Sequence, residues 1–401
     1  MPNRESAPIM DLDNDKCIVC KKANLTEFSL FRELKQVTSD CKPWSSGGRL
    51  AICSKCSTIQ KIIDPYFLKN ISEIYSQYDM FHQSEGIEQS VFSSTTGSFE
   101  KRSSSLCKYI ESNLNLSDSG ALLDVGCATG ETLRAFNLAR NDWELFGHDL
   151  GRKYFEKLQK IPNFKALFSG DFLSIEGTYD LITLIHTLEH FLDPIDGLKQ
   201  LSRYIKDKGY LFIQIPNAQI NPFDLLIADH VCHFSTKSFK TLVESSGYEV
   251  HKISDSFIDK EITALIYPSL TPSLDRNPSS DSAASKEKLL QQLMWLEELK
   301  NEALTLSKTE KPFGIFGTSI SGTWLGSTLE ENFDFFVDED PARIGQEHMG
   351  KPILSPEQIP ENSHLYVPLI PLIAERISRK LTSTRYSIHC PKSFELIKNC
   401  A

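Results

Sequence analysis

The stretch ALLDVGCATGETL at 121–133 constrains the fold most: an apolar run reaching Asp124, then Gly126 and Gly130 with three small residues between them, then a helical pattern. A strand delivered into a glycine turn that opens a helix is the first half of a βαβ unit. The pattern continues. Apolar runs at 121–125, 144–148, 179–185 and 209–215 alternate with helical periodicity, which predicts a parallel sheet between 116 and 268. Runs at 247–254 and 261–267 follow a helix expected at 236–246. Their close spacing predicts an antiparallel hairpin at the sheet's edge.

The glycine loop is specific about its ligand. A dinucleotide fingerprint needs G-x-G-x-x-G, and the G-x-G pair is missing here. A phosphate-cradling loop ends in Gly-Lys-Ser/Thr, and Glu131 stands where that lysine belongs. A carboxylate repels a polyphosphate, so both phosphate readings weaken.

At 401 residues the chain exceeds one ordinary core and implies two or three domains. Its 43 basic and 53 acidic residues leave a net charge of −10, with no Lys/Arg-rich block. That balance argues against nucleic acid or an anionic membrane as partner. No apolar run approaches the ~20 residues of a membrane span. Residues 1–15 form a polar tail without a signal pattern, so the expected compartment is the cytoplasm, where thiols stay reduced. Ten cysteines there read as metal ligands or small core residues. Two C-x-x-C pairs, Cys17/Cys20 and Cys53/Cys56, stand 32 residues apart and offer four thiolates to one tetrahedral zinc ion. Cys41 lies between them without a partner at that spacing.

These signals divide the chain into a zinc-binding module (1–64), a helical connector (65–115) carrying Ile71, Ile74, Tyr75 and Tyr78, and the α/β domain (116–268). A Ser/Pro-rich linker and a long amphipathic helix (269–308) follow. Leu289, Leu293, Leu296, Leu299 and Ala303 form that helix's apolar stripe, which serves internal packing or a dimer, so the chain is a monomer or a homodimer. FGIFGTSISGTWL at 313–325 opens a second Rossmann-like α/β domain (309–401), with strands at 333–338 and 365–370 and a helix carrying Ala374, Ile377 and Leu381.

The D-x-G-x-x-x-G loop resembles the AdoMet-binding loop of class I methyltransferases. The resemblance implies that Asp124, Gly126, Cys127 and Gly130 form the cofactor loop. It implies that Asp149 accepts hydrogen bonds from both ribose hydroxyls, and that Asp171 and Phe172 take the adenine amino group and ring. His186, Glu189 and His190 then stand at the next strand tip. Over nearly its whole length the chain is similar to the bacterial deoxysugar C-methyltransferases, through CIVC…CSKCSTIQ, HTLEHFLDP, ADHVCHFS and VDEDPARIGQEHMGKPILSP. This implies a class I methyltransferase Rossmann-like domain between the zinc module and the second α/β domain. It also implies S-adenosyl-L-methionine and Zn²⁺ as cofactors, and a nucleotide-linked sugar as small-molecule substrate.

In that family a base removes a proton beside a ketone and the enolate attacks the methyl group. His230 or His233 fits the base, oriented by Asp229. The family's Tyr-x-Glu-His is here Ile227-Ala228-Asp229-His230, so the acid is shorter and the tyrosine is absent. A plainer reading has Ser235 cap the 236–246 helix and leaves both histidines on the surface. The stretch 75–89, with Tyr75, Tyr78, His82, Glu88 and Gln89, is the part that closes over the methyl donor in the family. Amphipathic packing of the tyrosines is the alternative. Three other functions compete with carbon methylation: O- or N-methylation of a sugar, an NAD-dependent dehydrogenase using Gly317–Gly322 and Asp338, and a zinc-stabilised binding protein with a non-catalytic pocket.

Overall fold

The computed structural model describes residues 16–22, 25–78, 90–93, 98–269, 282–381 and 383–393. His82, Glu88, Gln89, the 1–15 tail and most of the Ser/Pro stretch lie outside them.

Seven strands form the central sheet: β1 (Gly120–Val125), β2 (Trp143–Asp149), β3 (Phe164–Ser169), β4 (Tyr179–Ile185), β5 (Ile205–Pro216), β6 (Tyr248–Ser254) and β7 (Glu261–Pro268). Their order is 3-2-1-4-5-7-6. Strands β1 to β5 are parallel, and β7 runs antiparallel between β5 and β6. Helices cover both faces of a parallel sheet, so its central strands must be apolar on both sides. Five of six residues in β1 are buried, as are residues 211–215 of β5. The hairpin expected at the edge is present with only β6 at the margin. Strand β3 escaped the sequence reading because it is an edge strand with one fully buried residue, Leu167, and so carries little apolar signal. The strand order switches between β1 and β4, from 1-2-3 running one way to 4-5 running the other, so the connections from their carboxyl ends leave in opposite directions. Their carboxyl ends therefore splay apart, which is where α/β sheets open a ligand crevice.

The N-terminal strands Leu25–Glu27, Leu50–Cys53 and Ile59–Lys61 form a small antiparallel sheet, and its fourth strand is Cys232–His233 from the far side of the central domain. The DHVCHFS stretch is thus strand and core. Ser235 does cap the following helix, Thr236–Ser245, in a reciprocal pair with Ser238. The two histidines are nonetheless buried, at 3% and 1% exposed, rather than on the surface. A two-residue strand is too short to show periodicity.

Helix Ser282–Ser307 turns its stripe inward. Leu289, Leu293, Leu296, Leu299 and Ala303 share one core with Phe31, Leu34 and Val37 of the N-terminal segment, Phe223 and Leu226, and Trp324 and Phe336. That stripe is therefore spent on internal packing. The C-terminal sheet comprises β8 (Phe313–Phe316), β9 (Phe335–Val337), β10 (Glu347–His348), β11 (Lys351–Leu354), β12 (His364–Tyr366) and β13 (Ser387–His389), in the order 10-11-9-8-12-13. Helix Ile320–Leu329 follows β8 through a second glycine turn. Among the described residues no helix is long and apolar enough to cross a membrane.

Leu296 is fully buried where these parts meet, whereas Leu290 is 42% exposed on the same helix. Leu296→Ala is expected to lower stability by about 2–5 kcal/mol and Leu290→Ala by less than about 0.5 kcal/mol, as read by chemical denaturation.

Candidate active site

A cleft of about 390 Å³ opens at the carboxyl ends of β1 and β4. One wall is the glycine loop, a second comes from Ser39, Cys41 and Tyr78, and a third from Ser319, Ile320 and Arg343 of the C-terminal part.

The loop hangs from β2: Gly126 N and Cys127 N both donate to His148 O, at 2.8 and 3.1 Å. This sharp return puts Gly126 at φ +78°, and a Cβ there would stand 2.4 Å from Thr187 Oγ1. Gly130, at φ +84°, starts helix Glu131–Ala139. A Cβ on it would meet Leu158 and Ile161 at 2.6 Å. Asp149 Oδ2 accepts from Ala128 N at 2.9 Å, so the acid at the β2 tip braces the loop. Asp124 lies beneath the loop and accepts from Thr183 Oγ1 at 2.7 Å. Burial, with Asp149 nearby, pushes its carboxyl up to about 7.

Asp124, Gly126, Cys127, His186 and Tyr78 line the cleft, whereas Gly130, Asp149, Asp171 and Phe172 stand behind or beside its wall. The reasons are local. Asp171 caps the short turn Phe172–Ser174 by accepting from Leu173 N at 2.9 Å. Phe172 packs on the His148 and Phe191 rings, with centroids 5.1 and 5.5 Å apart.

Opposite the loop lies a cluster of histidines. His186, at φ +50°, receives Arg102 Nη1 on Nε2 at 2.7 Å, and Arg102 also pairs with Glu261. His190 Nδ1 is 3.1 Å from Tyr75 Oη and 3.0 Å from Asp229 O. Asp229 does not orient His230. Its carboxylate accepts from Ser39 N at 2.8 Å and from Ser39 Oγ, tying the N-terminal module to this wall. The same hydroxyl reaches Tyr78 Oη at 3.3 Å.

The acid that serves the histidines is Asp224, which sequence reasoning missed. Its Oδ1 is 2.8 Å from His230 Nδ1 and its Oδ2 is 2.8 Å from His233 Nδ1. Asp224 sits in the turn Pro222–Leu226, flanked by Phe223, Leu225 and Leu226. An isolated acid inside an apolar run was the available signal, since such a carboxylate must find buried partners. The histidines differ: His230 lines the cleft, whereas His233 does not. Burial drives the His233 imidazole down to about 4, and its Nε2 has no hydrogen-bond partner among the described residues.

The four N-terminal cysteine sulfurs converge. Cys17 and Cys56 sulfurs are 3.5 Å apart, as are those of Cys20 and Cys53, and all four lie within 4.8 Å of one another. Tetrahedral zinc at about 2.3 Å from each sulfur would space them by roughly 3.8 Å. Cys20 N and Lys55 N point at Cys17 Sγ and Cys53 Sγ, at 3.5 and 3.3 Å, as donors that stabilise thiolates. The donor set fits a closed structural zinc site. Cys41, at φ +62°, faces the cleft instead.

At the third wall Ser319 occupies the N-cap position of helix Ile320–Leu329, its side chain making no capping hydrogen bond. Arg343 Nη1 donates to Thr318 Oγ1 at 2.9 Å and lies 3.4 Å from Asp338 Oδ2. Asp338 Oδ2 also accepts from Thr318 N and Oγ1, at 3.2 and 2.8 Å. Arg343 Nε, buried at the cleft, has no hydrogen-bond partner among the described residues.

Residues 99–253 match the family model described as a methyltransferase domain. The ubiquinone biosynthesis O-methyltransferase of Vibrio parahaemolyticus is 26% identical over 110 residues, 25% of this chain and 46% of that protein. The protein of the same name from Pectobacterium carotovorum is 26% identical over 177 residues, 40% of this chain and 72% of that protein. The chain thus spans just under half the length of curated relatives such as the Vibrio protein. An S-adenosylmethionine-dependent methyltransferase structure from Clostridium acetobutylicum superposes with a TM-score of 0.35 at 13% identity, covering 50% of this chain and 99% of that one. The central sheet and glycine loop are those of a class I AdoMet-dependent methyltransferase domain.

Gly126→Ala forces a left-handed residue and a methyl group against Thr187. It is expected to cost at least about 1–2 kcal/mol of stability and to weaken AdoMet binding at least tenfold, read by thermal unfolding and calorimetry.

Proposed function

We propose that this chain transfers a methyl group from AdoMet to a small polar acceptor, a nucleotide-linked sugar, with carbon as the leading site of methylation. One observation carries the reading: the methyltransferase loop, the cleft-facing His230 and the Arg343 wall border a single cavity. Arg343 stands beside a helix N-terminus, its Nε making no hydrogen bond among the described residues and facing Asp340 Oδ2 at 3.7 Å; a guanidinium and a helix N-terminus on one wall favour an anionic group, as the diphosphate of a nucleotide sugar supplies.

AdoMet, when bound, supplies an electrophilic methyl on a sulfonium. In this reading Asp124 and the loop backbone hold the amino-acid end within the cleft, and the nucleoside extends past the cleft wall to the β2 tip, where Asp149 accepts the ribose hydroxyls and Asp171 and Phe172 take the adenine. Tyr78 closes the donor side. His230 takes a proton from the acceptor through Nε2, and the walls hold the acceptor in line. Alignment alone can supply several kcal/mol of the acceleration. The four-cysteine module holds zinc for structural reasons, because its small sheet buries too little to stand by itself.

O-methylation is the second reading, favoured by the names of the two ubiquinone-pathway relatives. His230 would then take a hydroxyl proton. The dehydrogenase reading weakens because Asp338, the acid a ribose would need, is already engaged by Thr318 and faces Arg343.

Incubating the protein with AdoMet and a panel of nucleotide sugars, with mass spectrometry for one added methylene, tests the proposal. An acceptor deuterated beside its ketone separates the atoms, since carbon methylation releases that deuteron and oxygen methylation keeps it. No methylated product, together with tighter binding of NAD than of AdoMet, would sink it. Arg343→Gln is expected to raise the acceptor KM roughly tenfold with kcat changed by less than about threefold. Freshly purified protein is expected to hold zinc by elemental analysis, and Cys53→Ser to lose both the metal and much of the thermal stability.

A further inference from the structure

One carboxylate in the cleft wall serves two imidazoles. Asp224, His230 and His233 are 1%, 3% and 1% exposed, and each Asp224 oxygen stands 2.8 Å from one Nδ1. An ionised carboxylate offers only acceptors, so both rings must present N–H at Nδ1. For His230 this leaves the lone pair on Nε2, while the ring lines the cleft.

The acid is held from several sides. Phe223, beside it, packs edge-on against Trp295 and Trp324, with centroids 5.5 and 6.0 Å away. Lys61 Nζ donates to Leu225 O at 2.7 Å, so the N-terminal sheet braces the same turn. Other charged or titratable groups face His230: Glu189 and His190 from the turn after β4, and Asp229 and His233 from its own segment. None of these hydrogen-bonds to the His230 ring among the described residues. Asp224 alone does so among the described residues.

We propose that Asp224 is the positioning residue of this site: through a carboxylate shared with His233 it sets the tautomer of His230 and aims Nε2 into the cleft. The proposal deepens the reading of His230 as the base and rests on it. Asp224, assisted by Glu189 and Asp229, also raises the His230 imidazole above its ordinary range against the effect of burial. The carboxyl of Asp224 is correspondingly held well below the usual carboxylate range, since the two imidazoles outweigh its burial.

Asp224→Asn keeps the shape and removes one acceptor. An amide accepts from one Nδ1–H and donates to the other Nδ1, so one ring must move its proton to Nε2. At His233 that would bury an N–H where Nε2 has no partner, which is costly. The switch therefore falls on His230, which loses its cleft-facing lone pair.

Nitrogen-15 NMR of histidine-labelled full-length protein tests this, with His230→Gln identifying the signal. In the wild type, His230 is expected as the Nδ1–H tautomer, titrating above the ordinary imidazole value of about 6.5. In Asp224→Asn the tautomer is expected to switch. The midpoint is expected to fall, because removing an adjacent negative charge disfavours imidazolium. Asp229→Asn should leave the tautomer as it is. On the acceptor found in the screen, kcat should drop at least roughly tenfold with little change in KM. An Nε2–H tautomer in the wild type overturns the proposal, as does an Asp224→Asn protein whose His230 tautomer and midpoint match the wild type. The wild-type spectrum decides the matter even if the variant fails to fold. It needs no acceptor, so a wrong substrate assignment fails separately.

Discussion

Asp224, Asp229 and Lys61 place ionisable side chains at no more than 1% exposure, and burying such groups without hydrogen-bond partners is costly. Asp224 is satisfied within its own segment by His230 and His233, whereas Asp229 and Lys61 are satisfied only when distant parts of the chain meet, Asp229 by Ser39 and Lys61 by Gln36 Oε1 and Leu225 O. Slipping the N-terminal sheet against the central domain would strand at least two of them. This requirement, more than apolar contact alone, pins the register between the two.

The segment from Pro222 to His233 is where these demands converge. It pairs with strand Ile59–Lys61, bridges to Val37 through Ala228 N, and places Phe223 in the core of the long helix. One side of it is therefore structural. The other side carries His230 to the cleft. Because the same dozen residues serve both purposes, the cysteine module, 170 residues away in sequence, bears mechanically on the candidate base.

Much of the central fold was legible. Apolar runs that must be covered on both faces announced β1, β4 and β5, and the glycine spacing selected a methyltransferase loop over a nucleotide-phosphate loop. Strand β3 was not legible, because an edge strand buries little. The site was read in pieces. Asp124, Gly126 and Cys127 were placed from the loop pattern, whereas Asp229 was given an orienting role that belongs to Asp224. Adjacency in sequence pointed to Asp229, but Asp229 hydrogen-bonds Ser39, while the acid hydrogen-bonded to both rings is Asp224 from a separate turn.

Local pattern by itself determined the βαβ alternation, the glycine turn, the paired cysteines and the apolar stripe of the long helix. Each of these depends on residues within a few turns of one another. The tertiary structure alone decided that Cys232–His233 completes the N-terminal sheet, that His233 is sealed from the cleft while His230 faces it, and that three chain segments wall one cavity. Those outcomes depend on where buried charges find partners far along the chain, and no periodicity records that.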